Sequence, residues 1–174
     1  MALALGLIIF VPLTVAFNAA VKTWDEHIAM EELYQHGRVA MERITSELRY
    51  ATHLVDKEDS GKLKFYTRNL IDKNWDPEVI WYETQQIPSY WFDGLARKQE
   101  GDPFYFIAGG EVSPGIKINL FIYEVHKVSG GLFVPLGDSE PISAADVVKV
   151  RLDLATEDDK YWLTLTSRVQ LRNK

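Results

Sequence analysis

The chain has 174 residues, 47% of them hydrophobic and 25% charged, with 19 Lys and Arg against 25 Asp and Glu, a formal charge of -6 and no cysteine. A chain this apolar is not disordered, and without cysteine there is no zinc ribbon, disulfide scaffold or thiol nucleophile. The acidic balance also argues against a nucleic-acid binder working by bulk charge, because phosphate contacts need Lys and Arg in excess.

The charges are unevenly placed. Met1 to Val21 carries none, and its only polar side chains are Thr14 and Asn18. Roughly 20 apolar residues are enough for a membrane span, and the run lacks the polar stripe of a core helix. Nothing basic precedes it, and its candidate cleavage sites around Ala16 to Ala20 pair an Ala with Asn or Phe, so an uncleaved anchor is expected instead of a signal peptide. Lys22 alone follows closely, so charge counting barely constrains orientation. Gly6 and Pro12 lie inside the run, and the proline predicts a kink or a local opening.

No turn separates this run from the next segment. From Met30 the apolar positions are Met30, Tyr34, Gly37, Met41, Ile44, Leu48, Ala51 and Val55, alternately four and three apart, and Trp24 and Ile28 extend the stripe backwards. That spacing predicts one helical face, and with the anchor it predicts a single helix of about 55 residues, on the order of 80 Å long. Asp56 to Gly61, DKEDSG, ends the pattern with turn chemistry. A coiled coil would prefer Leu, Ile and Val where this stripe has Tyr34, Gly37 and Ala51, so packing on a sheet of the same chain is expected, through Gly37, Met41, Ile44, Leu48, Ala51 and Val55.

After Gly61 the period becomes two. The clearest strands are Ile116 to Tyr123, with Ile116, Ile118, Leu120 and Ile122 on one face; Val148 to Leu154; and Tyr161 to Leu171, across the acidic loop ATEDDK. Weaker candidates are Leu63 to Tyr66, Val79 to Thr84, Trp91 to Arg97, Phe104 to Ile107 and Leu132 to Val134. The expected class is therefore α+β. A long N-terminal helix would pack on one antiparallel sheet, with residues 1–21 as anchor, 22–56 as amphipathic helix and 57–174 as globular β domain.

Catalytic signatures are missing: there is no phosphate loop, dinucleotide fingerprint, nucleophile elbow or HExxH. His27, His36, His53 and His126 are dispersed, and the acidic groups Asp56, Glu58, Asp59 and Glu157, Asp158, Asp159 lack a full calcium-loop spacing. No enzymatic activity, metal or cofactor is expected. Aromatic residues crowd between Trp75 and Phe106, where Trp75, Trp81, Tyr82 and Trp91 are candidates for partner contact and the remainder for sheet core.

A charge-free helix running into an amphipathic half and then a β domain resembles the type IV filament superfamily, the type IV pilins and the pseudopilins of type II secretion. Arg38 to Val55 is similar to the late helix of their larger minor subunits, with the ending Glu47, Leu48, Arg49, Ala51. VIWYE, Val79 to Glu83, resembles their first hairpin, and YWLTLTSRVQLRN, Tyr161 to Asn173, resembles the closing strand of J-type minor pseudopilins and W-type minor pilins. The family's basic leader and early glutamate have no counterpart before Asp25, so peptidase processing and glutamate docking map to no residue here, while methylation is among the properties the resemblance implies. The missing cysteines depart from pilins closed by a disulfide.

The resemblance implies a structural subunit of a pilus, competence or secretion filament, single-pass in the bacterial inner membrane before assembly and extracytoplasmic afterwards. Its partners would be other pilin or pseudopilin subunits and assembly-platform proteins, with Leu5, Gly6, Leu7, Ile8, Ile9, Phe10, Pro12 and Leu13 in the membrane and later the filament core. The alternative expectation is a membrane-anchored binding module whose 75–106 region contacts glycan, DNA or protein.

Overall fold

A computed structural model describes residues 2–55, 61–68, 77–86, 93–99, 101–109, 112–113, 115–137, 140–141 and 144–171, with side chains along the helix described from Phe10 onward. Helix α1 spans Ala2–Arg49. Among the described residues nine strands come after it: β1 Ala51–Leu54, β2 Lys62–Arg68, β3 Pro77–Gln86, β4 Asp93–Gln99, β5 Tyr105–Ala108, β6 Ile116–Ser129, β7 Leu132–Pro135, β8 Val147–Thr156 and β9 Trp162–Gln170.

The expected α+β class, one helix on one sheet, is corrected by this architecture. Nine strands form two antiparallel sheets, ordered β1-β2-β3-β4-β5 and β7-β6-β8-β9, and the fold is β-rich. A helix-on-sheet layout survives only loosely. Two sheets form because the strands supply more apolar inward faces than one helix can cover. Leu63, Phe65, Tyr82 and Leu95 of the first sheet and Phe121, Tyr123, Val148, Val150, Leu152 and Leu154 of the second are all buried in one core. Each sheet therefore provides part of the cover for the other.

The helix also ends earlier than its stripe predicts. It stops at Arg49, with the Tyr50 amide donating to Glu47 O at 3.0 Å in a tightened last turn. Ala51 and Leu54 are buried as members of β1, which pairs with β2, and not as helix positions; Val55 comes just after that strand, its amide bonded to Lys64 O. The register of β1 shifts between Ala51 and His53. This extra residue lets two positions three apart face the same way, so a bulged strand imitates helical spacing.

The helical face is rotated as well. The buried positions are Leu33, Gly37, Ala40, Met41, Ile44 and Leu48, whereas Met30, Tyr34, Ile28 and Trp24 are exposed. A stripe drawn at 3.5 residues per turn drifts off a straight helix of 3.6, and over the five turns from Trp24 to Met41 the drift moves its early members out of the contact.

A bulge also breaks β6. Its register with β8 shifts between Ile118 and Leu120. Ile116 and Ile118 point inward, but beyond the shift the buried residues are Phe121, Tyr123 and Val125, and Leu120 is exposed. The expected single face through Leu120 and Ile122 thus changes parity halfway. β8 has no such break, and Val148, Val150, Leu152 and Leu154 are all fully buried, as strict alternation requires.

Candidate functional site

Two features stand out from the ordinary core: how the helix is held, and what it leaves uncovered. The hold begins at Gly37. A Cβ there would lie 2.6 Å from Leu165 Cδ1 and 2.9 Å from Leu154 Cδ1, so only glycine lets α1 settle this closely on β8 and β9. One side-chain bond supplements this contact, with Ser113 Oγ, fully buried, 2.8 Å from His36 Nδ1.

Further along, the helix carries a charge into the protein. Glu47 lies three positions beyond Ile44 and so shares its face. Its carboxylate accepts from Tyr82 Oη at 2.6 Å and from Arg97 Nε at 2.9 Å, and Arg43 Nε stands 3.6 Å away. Arg43 in turn donates to Tyr105 Oη at 2.6 Å, and the guanidinium groups of Arg43 and Arg97 lie 5.1 and 5.4 Å from the Tyr105 ring centre. Tyr82, Arg97 and Tyr105 come from β3, β4 and β5, so Glu47 and Arg43 together tie the end of the helix to three strands.

Burial, then the Glu47 charge and hydrogen bond, holds the Tyr82 hydroxyl far above its ordinary value, so it stays a donor. For Arg97 burial works against the charge, but the hydrogen bond and charge of Glu47 outweigh it and the pKa is raised. The network is a structural clamp. Arg97 and Tyr82 are buried, which leaves no room for a substrate between them. Tyr105→Phe should cost about 1 kcal/mol in a denaturant titration, because it removes one acceptor from a half-exposed arginine.

Sequence reasoning misses this clamp. Arg97 sits at an inward position between Leu95 and Gln99, and a charge on the buried parity of a strand is the available signal. Tyr82, expected among the partner-contact aromatics, is fully buried in the core and bonded to Glu47, so it is not available to a partner. Trp75 and Trp91 lie outside the described residues.

Trp81 lies on the outer face of the first sheet. It pairs with Lys64 on β2 and Lys98 on β4, whose ammonium groups are 5.5 and 5.0 Å from its ring centre. Phe104 packs edge-on at 6.1 Å, and Lys62, 6.0 Å away, also pairs with Glu83 at 2.9 Å.

The uncovered feature is the N-terminal part of α1. Every residue from Phe10 to Val21 is exposed, with Phe10 at 66% and Phe17 at 68%. The polar hydroxyls along it are turned inward onto the helix itself: Thr14 Oγ1 donates to Phe10 O and Val11 O at 2.9 Å, and Thr23 Oγ1 to Ala19 O at 2.9 Å. Apart from Asn18, what remains outward between Phe10 and Val21 is apolar. From Phe10 to Trp24 this arm extends roughly 20 Å beyond the packed part. Pro12 and Leu13 lie on it, Pro12 within continuous helix; the side chains of Leu5, Gly6, Leu7, Ile8 and Ile9 lie outside the described ones. Among the described residues no helix is long and apolar enough to cross a membrane, and only Phe10 to Val21 of the charge-free run has described side chains.

Among the described residues no group of His, Asp and Glu is placed to hold a metal ion. Glu157, Asp158 and Asp159 form the β8–β9 turn, where Asp158 accepts from Thr156 Oγ1 at 2.6 Å and Asp159 pairs with Lys117 at 2.5 Å; Asp56, Glu58 and Asp59 lie outside the described residues. Comparison with known families, characterised proteins and solved structures finds no match.

Proposed function

We propose that the chain is a structural subunit of a type IV filament, a minor pilin or pseudopilin, held in the bacterial inner membrane by its N-terminal helix and assembled into a filament through that helix. The observation that carries the reading is the bare apolar arm from Phe10 to Val21. A helix whose side chains are apolar apart from Asn18, with its Thr14 hydroxyl bonded to its own carbonyls, gains little from water. It is stable when covered by lipid or by other apolar helices, and both environments occur in the life of a filament subunit.

The reading does not depend on the class of the globular fold. The two sheets and the Glu47 clamp serve it by fixing where the arm emerges. The buried clamp also supports a subunit without catalysis, since its charged groups are spent on each other.

The test uses the full chain expressed in membranes, with Val15→Cys as the sole thiol. The protein is expected in the membrane fraction, with oxidative cross-links between copies through position 15. Phe17→Lys should lower those cross-links on the order of a hundredfold, because a lysine at the middle of an apolar helix costs about 3 kcal/mol in lipid or in a helix bundle. Recovery of the unsubstituted chain as an aqueous monomer would overturn the proposal.

A further inference from the structure

We propose that the outer face around Trp81 docks onto the acidic groove of a second copy of this chain, in a head-to-tail contact. The inference rests on the filament reading and adds to it a contact between globular parts.

The basic half is built into the sheet. Lys64, Trp81 and Lys98 stand side by side on three adjacent strands in direct register, all on the outer face, and Phe104 flanks the indole. Among the described residues neither Lys64 nor Lys98 has a carboxylate within ion-pair distance. Among the described residues the buried Trp81 Nε1 group has no hydrogen-bond partner. Two ammonium groups gathered on one aromatic ring, neither ion-paired among the described residues, in a chain of charge -6, mark a surface that meets negative charge.

The acidic half lies elsewhere in the same chain. A groove of about 610 Å³ opens between the helix and the β8–β9 turn, lined by Asp25 and Ala29 on one side and by Glu157, Asp158 and Tyr161 on the other. Asp25 and Glu157 make no ion pair among the described residues. The Asp158 carboxylate is held by the Thr156 hydroxyl and the Lys160 amide, which lower its pKa and keep it charged.

The two halves do not meet within one molecule. The groove is at Asp25 and Ala29, whereas the sheet carrying Trp81 is fastened to the helix at Glu47, roughly 30 Å further along the axis. A two-fold dimer through either surface would set lysine against lysine or carboxylate against carboxylate. A heterologous contact pairs them, and such contacts repeat into open chains where the rotation does not close a ring. Complementary surfaces at opposite ends of a subunit are what a filament requires.

The native absence of cysteine makes the test clean. One full-length chain carrying Lys98→Cys is co-expressed in membranes with another carrying Glu157→Cys, and a mild oxidant is added. A mixed disulfide dimer is expected. Lys64→Glu in the first chain should lower its yield about tenfold, and Asp158→Lys in the second should restore it. Both substitutions are on the surface, and unchanged thermal unfolding checks that the fold is kept.

The Val15→Cys cross-link separates the two proposals. If it forms and the mixed dimer does not, the docking contact is wrong and the filament reading stands; if neither forms, both fall. A mixed dimer indifferent to charge reversal overturns the contact. So does loss of the dimer together with retention of labelled single-stranded oligonucleotide by the Trp81 face, which would mark a nucleic-acid surface instead.

Discussion

Glu47→Ala is expected to lower the stability of the globular part by about 3 kcal/mol, the range found when one member of a buried ion pair is removed. The cost comes less from the lost attraction than from what stays behind. Arg97 is only 7% exposed and would keep its charge in the core with its main acceptor gone, and the Tyr82 hydroxyl would lose its acceptor as well. Denaturant unfolding of the full chain in detergent, monitored by tryptophan fluorescence, would measure it. Two further variants identify the cause. Glu47→Gln keeps an oxygen for Tyr82 and Arg97 but not the charge, and should lose about half as much. Glu47→Leu combined with Arg97→Met removes both charges and should recover most of the loss. Equal losses in all three would show that the clamp carries no special weight.

Gly37→Val should cost about 3 kcal/mol through overpacking, against a gain in helix propensity of about half a kcal/mol. A Cβ at this position already falls 2.6 Å from Leu165 and 2.9 Å from Leu154, and the two valine methyls would drive deeper into them. Leu165 is half-buried and can swing aside, but Leu154 is fully buried and cannot. Gly37→Ala therefore gives the sharper comparison. Its single methyl displaces mainly Leu165, the propensity gain of about 1 kcal/mol offsets part of the strain, and the net loss should stay near 1 kcal/mol. If valine were tolerated as well as alanine, the close approach of helix and sheet would not depend on Gly37.

The fold correction reflects what periodicity can express. Alternation in Val148 to Leu154 and in Tyr161 to Leu171 is local, and those strands occur where the pattern places them. A bulge adds one residue and inverts every side chain beyond it, so Leu120 is outside and Phe121 inside although no residue type announces the change. The same device at Ala51 disguises a strand as the last turn of a helix. The number of sheets is out of reach for a related reason. Strand segments reveal their own two faces but not which segments pair, and the five-stranded and four-stranded sheets are settled by pairing across the core.

Of the candidate site, the apolar arm is legible in the sequence because charge is a property of residues, and the clamp is not because it is a property of their meeting. Arg97 and Tyr82 stand 50 and 35 positions from Glu47 in the chain, and neither one alone names its partner.

The composition by itself thus determined a division, with all 19 basic and 25 acidic side chains placed after Val21, and with no cysteine to staple the globular part. Hydration of charge is a local matter, so the sequence states directly which part of the chain water accepts. Only the tertiary structure decided where the helix stops, which of its faces is buried, and how the strands divide into two sheets. Those outcomes depend on apolar area and buried charge being satisfied by residues distant in sequence, and that condition is met only when the whole chain packs.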